Sequence, residues 1–296
     1  MDIQSLSICV PASCPNECKF CVSRMNPSAY VNQIEKNLRF RDLYERDFVR
    51  RLQFARDNGC NTAMLTGNGE PLANRDFLKD FAHWNQMVES PFRWIELQTS
   101  GVFLNDEYLR FLRNTVGVAT MCLSVSDVLD PAVNAELMGT PAKLRVDIEA
   151  LCAEIKRYDF NLRLSLNMTD AYEQRLGAGQ ATVDALLDRA QALGANQLTF
   201  RQLYAAADAA LSQDIWVREH SASKALMGLV ADTVRKHGRA LEALPFGAVR
   251  YSVRDMSVVV DDDCMSAAVK PVMKYLILRP DCKIYTKWDD RGSLLF

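Results

Sequence analysis

The sequence predicts an α/β protein in which six strand–helix units form a mainly parallel sheet and a small β-rich extension follows. Short apolar and β-branched runs alternate with stretches whose apolar residues recur every three or four positions, as in a parallel sheet covered by helices. Near residue 239 this alternation gives way to short strands and turns. A chain of 296 residues, 49% hydrophobic and 24% charged, suits one barrel-sized globular domain with an appendage.

Six strands are expected before the extension, and most end at a turn signal such as Gly67 or Ser100-Gly101. In order they are Leu6–Val10, Thr62–Thr66, Trp94–Thr99, Val118–Ser124, Leu162–Met168 and Gln197–Leu203. Parallel strands place their carboxyl ends at one edge of the sheet. The loops that follow these strands are therefore expected to meet at a common mouth.

The helices between the strands show amphipathic spacing. Leu144, Ile148 and Leu151 recur at helical intervals, and Gly194 stops a later helix. The predicted helices are Val31–Asp57, Phe77–Met87, Asp106–Arg113, Pro141–Tyr158, Val183–Leu193 and Ser223–His237. Further strands are expected at Val249–Val253, Ser257–Val260, Lys274–Leu278 and Lys283–Tyr285. We expect a barrel domain over residues 1–238 and a β-rich extension over residues 239–296 that covers the barrel mouth.

Charge and hydropathy argue against several classes of protein. Lys and Arg number 35 against 37 Asp and Glu, so no global basic field indicates a nucleic-acid or membrane partner. The sequence has no run of about 18 apolar residues and begins with no export signal, which makes a cytoplasmic protein the expectation. Its nine cysteines are then thiols or metal ligands rather than disulfides.

Three of these cysteines stand together directly after the first strand, in the run CPNECKFC of residues 14–21. Three thiolates so close in sequence can surround one metal centre. A structural zinc site needs a fourth ligand, which a distant cysteine such as Cys9 or Cys60 would have to supply. Thiolates also select iron–sulfur chemistry, and a cubane 4Fe-4S cluster normally takes four cysteines. Three cysteines would leave its fourth iron open to a substrate or cofactor.

This loop resembles the hallmark of the radical S-adenosylmethionine (SAM) superfamily, a Cys-x3-Cys-x2-Cys loop with an aromatic residue, here Phe20, before the last cysteine. The run TGNGEP of residues 66–71 resembles the Gly-Gly-Glu-Pro element of that superfamily. The likeness covers about residues 5–205 and implies a partial (βα)6 barrel. It also implies one 4Fe-4S cluster and SAM as cofactors. Their reaction would release a 5′-deoxyadenosyl radical that abstracts a substrate hydrogen atom.

The resemblance assigns roles position by position. Cys14, Cys18 and Cys21 match the cluster ligands. The matches that imply contacts to SAM are Phe20, Thr66, Gly67, Asn68, Gly69, Glu70, Thr99, Ser100, Ser124, Ser126, Asn167 and Arg201. The two glycines would let the backbone approach SAM closely, and Glu70 could act only as a brace. Thr99–Ser100 could equally form a simple turn, and Asn167 and Arg201 could be structural.

Two features bear on the subtype. Ser124 and Ser126 resemble the fourth-strand segment of the branch that initiates molybdopterin synthesis. Cys264, after three aspartates, could donate a hydrogen atom to a substrate radical, as in an epimerase; an acidic turn with an incidental thiol is the alternative. Only Cys264 and Cys282 follow the barrel, too few for a second protein-bound cluster.

We expect a small-molecule substrate, such as a sugar, nucleotide or natural-product intermediate, that undergoes a reaction such as epimerisation or dehydrogenation. We also expect an electron donor such as flavodoxin or ferredoxin. A peptide maturase, a glycyl-radical activase and a non-catalytic structural or redox-sensing metal-binding protein are the alternatives.

Overall fold

The structure, a computed structural model, describes residues 2–25, 41–67, 69–205, 211–244, 247–261, 272–288 and 291–296. Within these residues the strands are β1 (Asp2–Val10), β2 (Thr62–Gly67), β3 (Trp94–Thr99), β4 (Thr120–Val125), β5 (Asn161–Met168), β6 (Gln197–Gln202), β7 (Arg239–Ala243), β8 (Val249–Val253), β9 (Met256–Asp261), β10 (Val272–Leu278) and β11 (Ile284–Tyr285). The α/β class predicted from the sequence is confirmed.

The helices lie between the strands, as the alternating pattern predicts. They are α1 (Arg41–Asp57), α2 (Arg75–Gln86), α3 (Asp106–Phe111), α4 (Pro131–Leu137), α5 (Ile148–Arg157), α6 (Asp170–Gly177), α7 (Val183–Ala192), α8 (Ser212–His220) and α9 (Lys224–His237). Over the described ranges, no helix is both long and apolar enough to cross a membrane.

The strands form one sheet in the order β11-β10-β1-β2-β3-β4-β5-β6-β9-β8-β7. From β1 to β6 the strands are parallel and follow chain order. β10 pairs parallel with β1, and β9 pairs parallel with β6. The parallel part of the sheet curls so that its outer strands approach each other: Lys274 Nζ on β10 lies 3.1 Å from Asp261 Oδ1 on β9.

The alternation of side chains along β1 shows how this sheet separates a core from a cavity. Leu6 and Ile8 are fully buried in the apolar cluster that also contains Phe48 of α1. Their neighbours Ser5 and Ser7 face the opposite side, since successive side chains of a strand point to opposite faces. There they line a cavity. The helix-facing side of the sheet is therefore the hydrophobic core, and the inner side is polar.

The predicted helix over residues 141–158 is too long. α5 begins only at Ile148, where Asp147 Oδ1 accepts hydrogen bonds from Glu149 N at 2.9 Å and Ala150 N at 3.2 Å. A carboxylate in this position satisfies amides that have no partner within the helix, and so fixes its start. The preceding residues Ala142–Leu144 form a 3₁₀ turn instead.

Candidate active site

A cavity of about 440 Å³ lies at the carboxyl ends of the parallel strands and extends down between them. The loops after β1 and β2 line its mouth, and inward side chains of β1 to β6, β9 and β10 line its walls. The part of the cavity enclosed by these strands is called the lumen below. Parallel topology brings residues that are far apart in the sequence to this one site.

The three motif cysteines line this cavity together, and none of them is in a disulfide. Cys18 Sγ donates to the carbonyl oxygen of Met138 at 3.1 Å, and Cys21 Sγ lies 2.9 Å from Ser23 Oγ. In the part of the chain that the structure describes, no group of three or more His, Cys, Asp and Glu side chains is placed to hold a single metal ion. A cubane cluster binds each cysteine at a different iron, so its ligands surround a space. Three thiols that line one cavity fit that requirement.

Five of the described cysteines are buried in the protein interior. Burial raises the pKa of each of their thiols to about 12, and they are Cys9, Cys60, Cys122, Cys152 and Cys282. Cys9 and Cys60 lie in apolar clusters and are not among the residues that line the cavity of the motif cysteines. This argues against the alternative of a zinc site completed by Cys9 or Cys60.

Asn16 supports the presence of a polar ligand in the cavity. It lies between Cys14 and Cys18, is buried, and lines the same cavity. Neither atom of its side-chain amide has a hydrogen-bond partner among the residues described. A buried polar group without a partner costs about 1–3 kcal/mol. A polar ligand beside the cysteine loop would offset this cost.

Both glycines of the second motif are required by close packing, Gly67 within its own loop and Gly69 against the cysteine loop. A Cβ atom on Gly69 would lie 1.9 Å from the carbonyl oxygen of Ala12, and one on Gly67 would lie 1.9 Å from that of Gly69. The amide of Glu70 also donates to Ser13 O at 3.1 Å. The glycine loop is thus joined directly to the cysteine loop. Asn68, the remaining residue of this motif, lies outside the described residues.

Glu70 links the glycine loop to the end of β3. Its carboxylate is only 3% exposed. Oε1 accepts from Thr99 Oγ1 at 2.5 Å, and Oε2 accepts from the amide and the hydroxyl of Ser100 at 2.9 and 2.7 Å. The Leu72 amide also donates to Oε1, at 3.3 Å. Four donors satisfy the buried charge. The carboxylate therefore holds the loop, and Thr99 and Ser100 line the cavity beside it.

Of the remaining described candidate residues, five line the cavity and one is buried behind its wall. Thr66, Phe20, Ser124, Asn167 and Arg201 line the cavity. Ser126 is fully buried behind them, and its hydroxyl accepts from Asn167 Nδ2 at 3.2 Å and contacts Met138 Sδ at 3.2 Å. Ser126 therefore supports the wall from behind. Cys264 lies outside the described residues.

Two supports of the cysteine loop have no counterpart in the sequence prediction. The turn Met138–Gly139 after α4 accepts from the amide of Glu17 at 3.2 Å and from Cys18 Sγ. On the other side, Gln213 of α8 donates to the carbonyl oxygens of Phe20 at 3.3 Å and Tyr204 at 3.0 Å. The Trp216 ring packs against Phe20, with ring centroids 5.8 Å apart. The first support needs a glycine, because Gly139 has a φ of 57° and a Cβ atom there would lie 2.8 Å from the backbone of Glu17.

Deeper in the lumen, polar side chains from several strands bind one another. Glu96 of β3 pairs with Arg163 of β5, and Gln98 Nε2 donates to Glu96 Oε1 at 2.9 Å. Arg163 Nε donates to Gln197 Oε1 of β6 at 2.7 Å. On the opposite wall, Asp261 and Lys274 form the ion pair between β9 and β10. Both carboxylates of this deep region are therefore paired with cations.

Comparison with known proteins places this geometry in a family. The model of the radical SAM superfamily matches residues 8–169, more than half of the chain. The solved structure of coproporphyrinogen III oxidase (HemN) from Escherichia coli, a radical SAM enzyme, is similar with a TM-score of 0.53 and 16% identity, over 80% of this chain and 54% of that one.

A structure of native anSMEcpe with bound AdoMet gives a TM-score of 0.49 and 15% identity, over 79% of this chain and 60% of that one. A second anSMEcpe structure, with AdoMet and the Cp18Cys peptide, gives 0.44 and 14%, over 68% of this chain and 50% of that one. The chain thus spans half to 60% of the length of these anSMEcpe structures. No curated protein sequence matches it significantly.

Enzymes of the matched superfamily use a 4Fe-4S cluster and SAM, and they require a reductant. The three cysteines and the glycine loop of this chain both lie within the matched range and line one cavity. The chain belongs to the radical SAM superfamily of enzymes.

Proposed function

We propose that Cys14, Cys18 and Cys21 bind the cluster, and that the enzyme abstracts a hydrogen atom from a small polar molecule held in the lumen. One observation carries this proposal: the cysteine loop, the glycine loop and the polar lumen belong to a single cavity. A substrate in the lumen would lie next to the radical source, where a reactive intermediate is shielded from bulk water.

When bound, the cluster and SAM supply a one-electron cleavage of the sulfonium C5′–S bond, which yields methionine and a 5′-deoxyadenosyl radical. The residues that line the lumen would hold a substrate C–H bond within reach of that radical, so that transfer of one hydrogen atom would leave 5′-deoxyadenosine and a substrate radical. The protein's own part is to fix positions. Glu70 holds the glycine loop against β3, Gly69 allows that loop to meet the cysteine loop, and Gln213 fixes the Phe20 carbonyl.

A small-molecule substrate, rather than a large one, is supported by the walls of the lumen. Strands at both ends of the parallel sheet contribute to its lining, and Lys274 and Asp261 bridge the gap between those ends. The cavity of about 440 Å³ would also have to hold the cluster and SAM, so the space left for the substrate suits a small molecule. Epimerisation and dehydrogenation of a sugar, nucleotide or natural-product intermediate are the reactions we favour. The exposed Cys14 marks the side on which flavodoxin or ferredoxin would deliver the electron.

The test is anaerobic reconstitution of the wild type and of Cys14→Ala, Cys18→Ala and Cys21→Ala with iron and sulfide. We expect the wild type to show a reduced 4Fe-4S signal in electron paramagnetic resonance and to form 5′-deoxyadenosine from SAM with dithionite. Each variant should lose both. Cys152→Ala, which removes a buried thiol on α5, is the control and should keep both. A full cluster in all three motif variants, or zinc alone in the wild type, would refute the proposal.

A further inference from the structure

The inner wall of this sheet is lined differently from that of an ordinary barrel of parallel strands. Such interiors are usually packed with Val, Ile and Leu. Here the side chains on the lumen are mostly hydroxyls and amides, contributed by strand after strand. Examples are Ser7 of β1, Thr62 of β2, Gln98 of β3, Ser124 of β4, Thr199 of β6 and Ser257 of β9. Hydroxyl groups both donate and accept hydrogen bonds, and an amide offers two donors and an acceptor.

The charged groups of the lumen offer little net charge to a ligand. Arg163 is held by Glu96 and Gln197. Lys274 faces Asp261, whose side chain is 10% exposed.

Two further cations line the cavity. Arg250 is paired with Glu242, and Arg201 lies near the carboxyl end of β6, the end of the cavity at which the resemblance implies SAM rather than substrate. A phosphate or free carboxylate deeper in the lumen would have to break one of these pairs to gain a cation, and removing one partner of a buried pair is costly. The carboxylates remain able to accept further hydrogen bonds, because each has several lone pairs. The lumen thus favours a neutral ligand rich in hydrogen-bonding groups.

Two aromatic side chains also line the cavity. Tyr275 of β10 and Trp288 both line the cavity, with ring centroids 6.4 Å apart and planes inclined at 61°. An aromatic ring provides an apolar face together with a polar edge group. A sugar ring has the complementary shape, since its C–H bonds form an apolar face and its hydroxyls form a polar rim.

We infer that the substrate is a saccharide or other neutral polyhydroxylated ring. Its C–H face packs on Tyr275 and Trp288, and its hydroxyls bind the hydroxyl and amide side chains of the lumen. This inference rests on the proposed function and names its substrate class. It selects the sugar from the three classes favoured above, because a nucleotide brings phosphate charge that the paired lumen does not match.

The experiment is saturation-transfer NMR on anaerobic holoenzyme that carries its cluster and SAM, without reductant. The probes are a mixture of the methyl glycosides of glucose, galactose and N-acetylglucosamine, a mixture of nucleoside monophosphates, and a mixture of glutamate and lysine. We expect the ring protons of at least one glycoside to receive saturation, while the charged probes receive none. Saturation of the nucleotides or amino acids alone, or of no probe, would overturn the inference.

Substitutions of residues that line the lumen test where the glycoside binds. Thr199→Val removes one lumen hydroxyl at nearly constant volume, and Thr233→Val, which removes an exposed hydroxyl on α9, is its control. We expect Thr199→Val to weaken glycoside binding roughly fivefold to tenfold, the effect of one hydrogen bond, and Thr233→Val to leave it unchanged. Tyr275→Leu should weaken glycoside binding further than Thr199→Val does. Its control is Trp94→Ala, which removes a 65% exposed aromatic side chain at the start of β3 and should leave glycoside binding unchanged.

Equal affinity in Thr199→Val and the wild type would place the glycoside outside the lumen and refute the assignment, even if Tyr275→Leu failed to fold. If the proposed function itself were wrong, the SAM-cleavage assay would give a different result. In that case no 5′-deoxyadenosine would form in any sample, whereas failure of this inference alone leaves SAM cleavage intact without glycoside binding.

Discussion

Gly69 sets how closely the glycine loop approaches the cysteine loop. Its missing side chain leaves room for the backbone of Ala12, which a Cβ atom would overlap at 1.9 Å. The nearest atoms belong to the main chain of Ala12 and Ser13, so they cannot rotate out of the way as a side chain could. We therefore expect Gly69→Ala to push the loops apart, to lower the iron bound per chain severalfold after reconstitution, and to lower the melting temperature.

Gly228 provides the matched control for that measurement. It lies inside α9, where a Cβ atom would meet nothing within 4 Å. Alanine is favoured over glycine in helices by up to about 1 kcal/mol, so Gly228→Ala should keep its iron and gain slightly in stability. Equal iron content in Gly69→Ala and Gly228→Ala would show that the contact between the loops does not govern cluster binding.

The sequence indicates the site residues that belong to contiguous motifs and misses those that act across the fold. Cysteine spacing picks out the loop of residues 14–21, and the run after β2 picks out the glycines. Nothing in the local sequence marks Met138 or Gln213 as contacts of the cysteine loop, because their partners are far away along the chain. The role of Ser126 likewise depends on burial, which its position at the end of a strand does not determine.

At the scale of elements, periodicity predicts the long helices and the central strands. The elements it misses are short: α4 has 7 residues, α6 has 8, α8 has 9 and β7 has 5. Segments of two or three turns give too few repeats for a pattern to stand out. α4 did carry a local signal, since Asp130 accepts from the amide of Ala132 at 2.9 Å and Pro131 opens the helix.

α8 contacts the backbone of Phe20, a residue that the family resemblance assigns to SAM binding. The buried Gln213 ties the Phe20 carbonyl to that of Tyr204. We expect Gln213→Met to leave iron content unchanged and to weaken SAM binding about tenfold, because the Phe20 backbone loses its fixed orientation. Equilibrium dialysis of SAM against reconstituted protein measures this effect.

Gln191→Met is the control for that substitution. Gln191 lies on α7 and donates to Arg254 O at 3.2 Å on the exposed surface. The SAM affinity of the Gln191→Met variant should match that of the wild type. If Gln213→Met bound SAM equally well, α8 would be a packing element without influence on the nucleotide. If it lost iron as well, the helix would support the cysteine loop as a whole.

At the scale of the molecule, the sheet order was beyond prediction. The sequence indicates strands after residue 239, but it does not show that β9 would extend the sheet from β6 and β10 from β1. Ile3, for instance, pairs with Met273. Such pairing depends on the complete fold, and local pattern carries no information about it. The positions of the six central strands were nevertheless predicted from the alternation of strand and helix patterns.

The buried thiols make the whole molecule sensitive to alkali. Burial raises the pKa of Cys122 and the four other buried cysteines from the ordinary 9.0 to about 12. Above pH 9 these thiols ionise in the unfolded chain while they stay protonated in the folded one. The unfolded state is therefore favoured as pH rises, and each thiol removes up to about 1.4 kcal/mol of stability per pH unit between the two pKa values.

We expect the free energy of unfolding, measured in urea on metal-free protein, to be constant between pH 7 and 8 and to fall progressively from pH 9 to 11. Cys122→Ala should be less stable at pH 7, because it leaves a cavity, but should lose stability less steeply above pH 9. A flat profile to pH 11 in the wild type would mean that water reaches these thiols in the folded state.

The pairing of β1 with β10 also has a consequence for synthesis of the chain. β1 leaves the ribosome first, yet the strand that covers its outer edge ends only at Leu278. At 5–20 residues per second, translation between them takes roughly 15–50 s. Throughout that time the nascent chain exposes an uncovered strand edge, the kind of surface on which chains aggregate. The wall of the lumen that β10 forms can thus assemble only after Leu278 has been synthesised, and the enzyme cannot acquire a complete pocket before then.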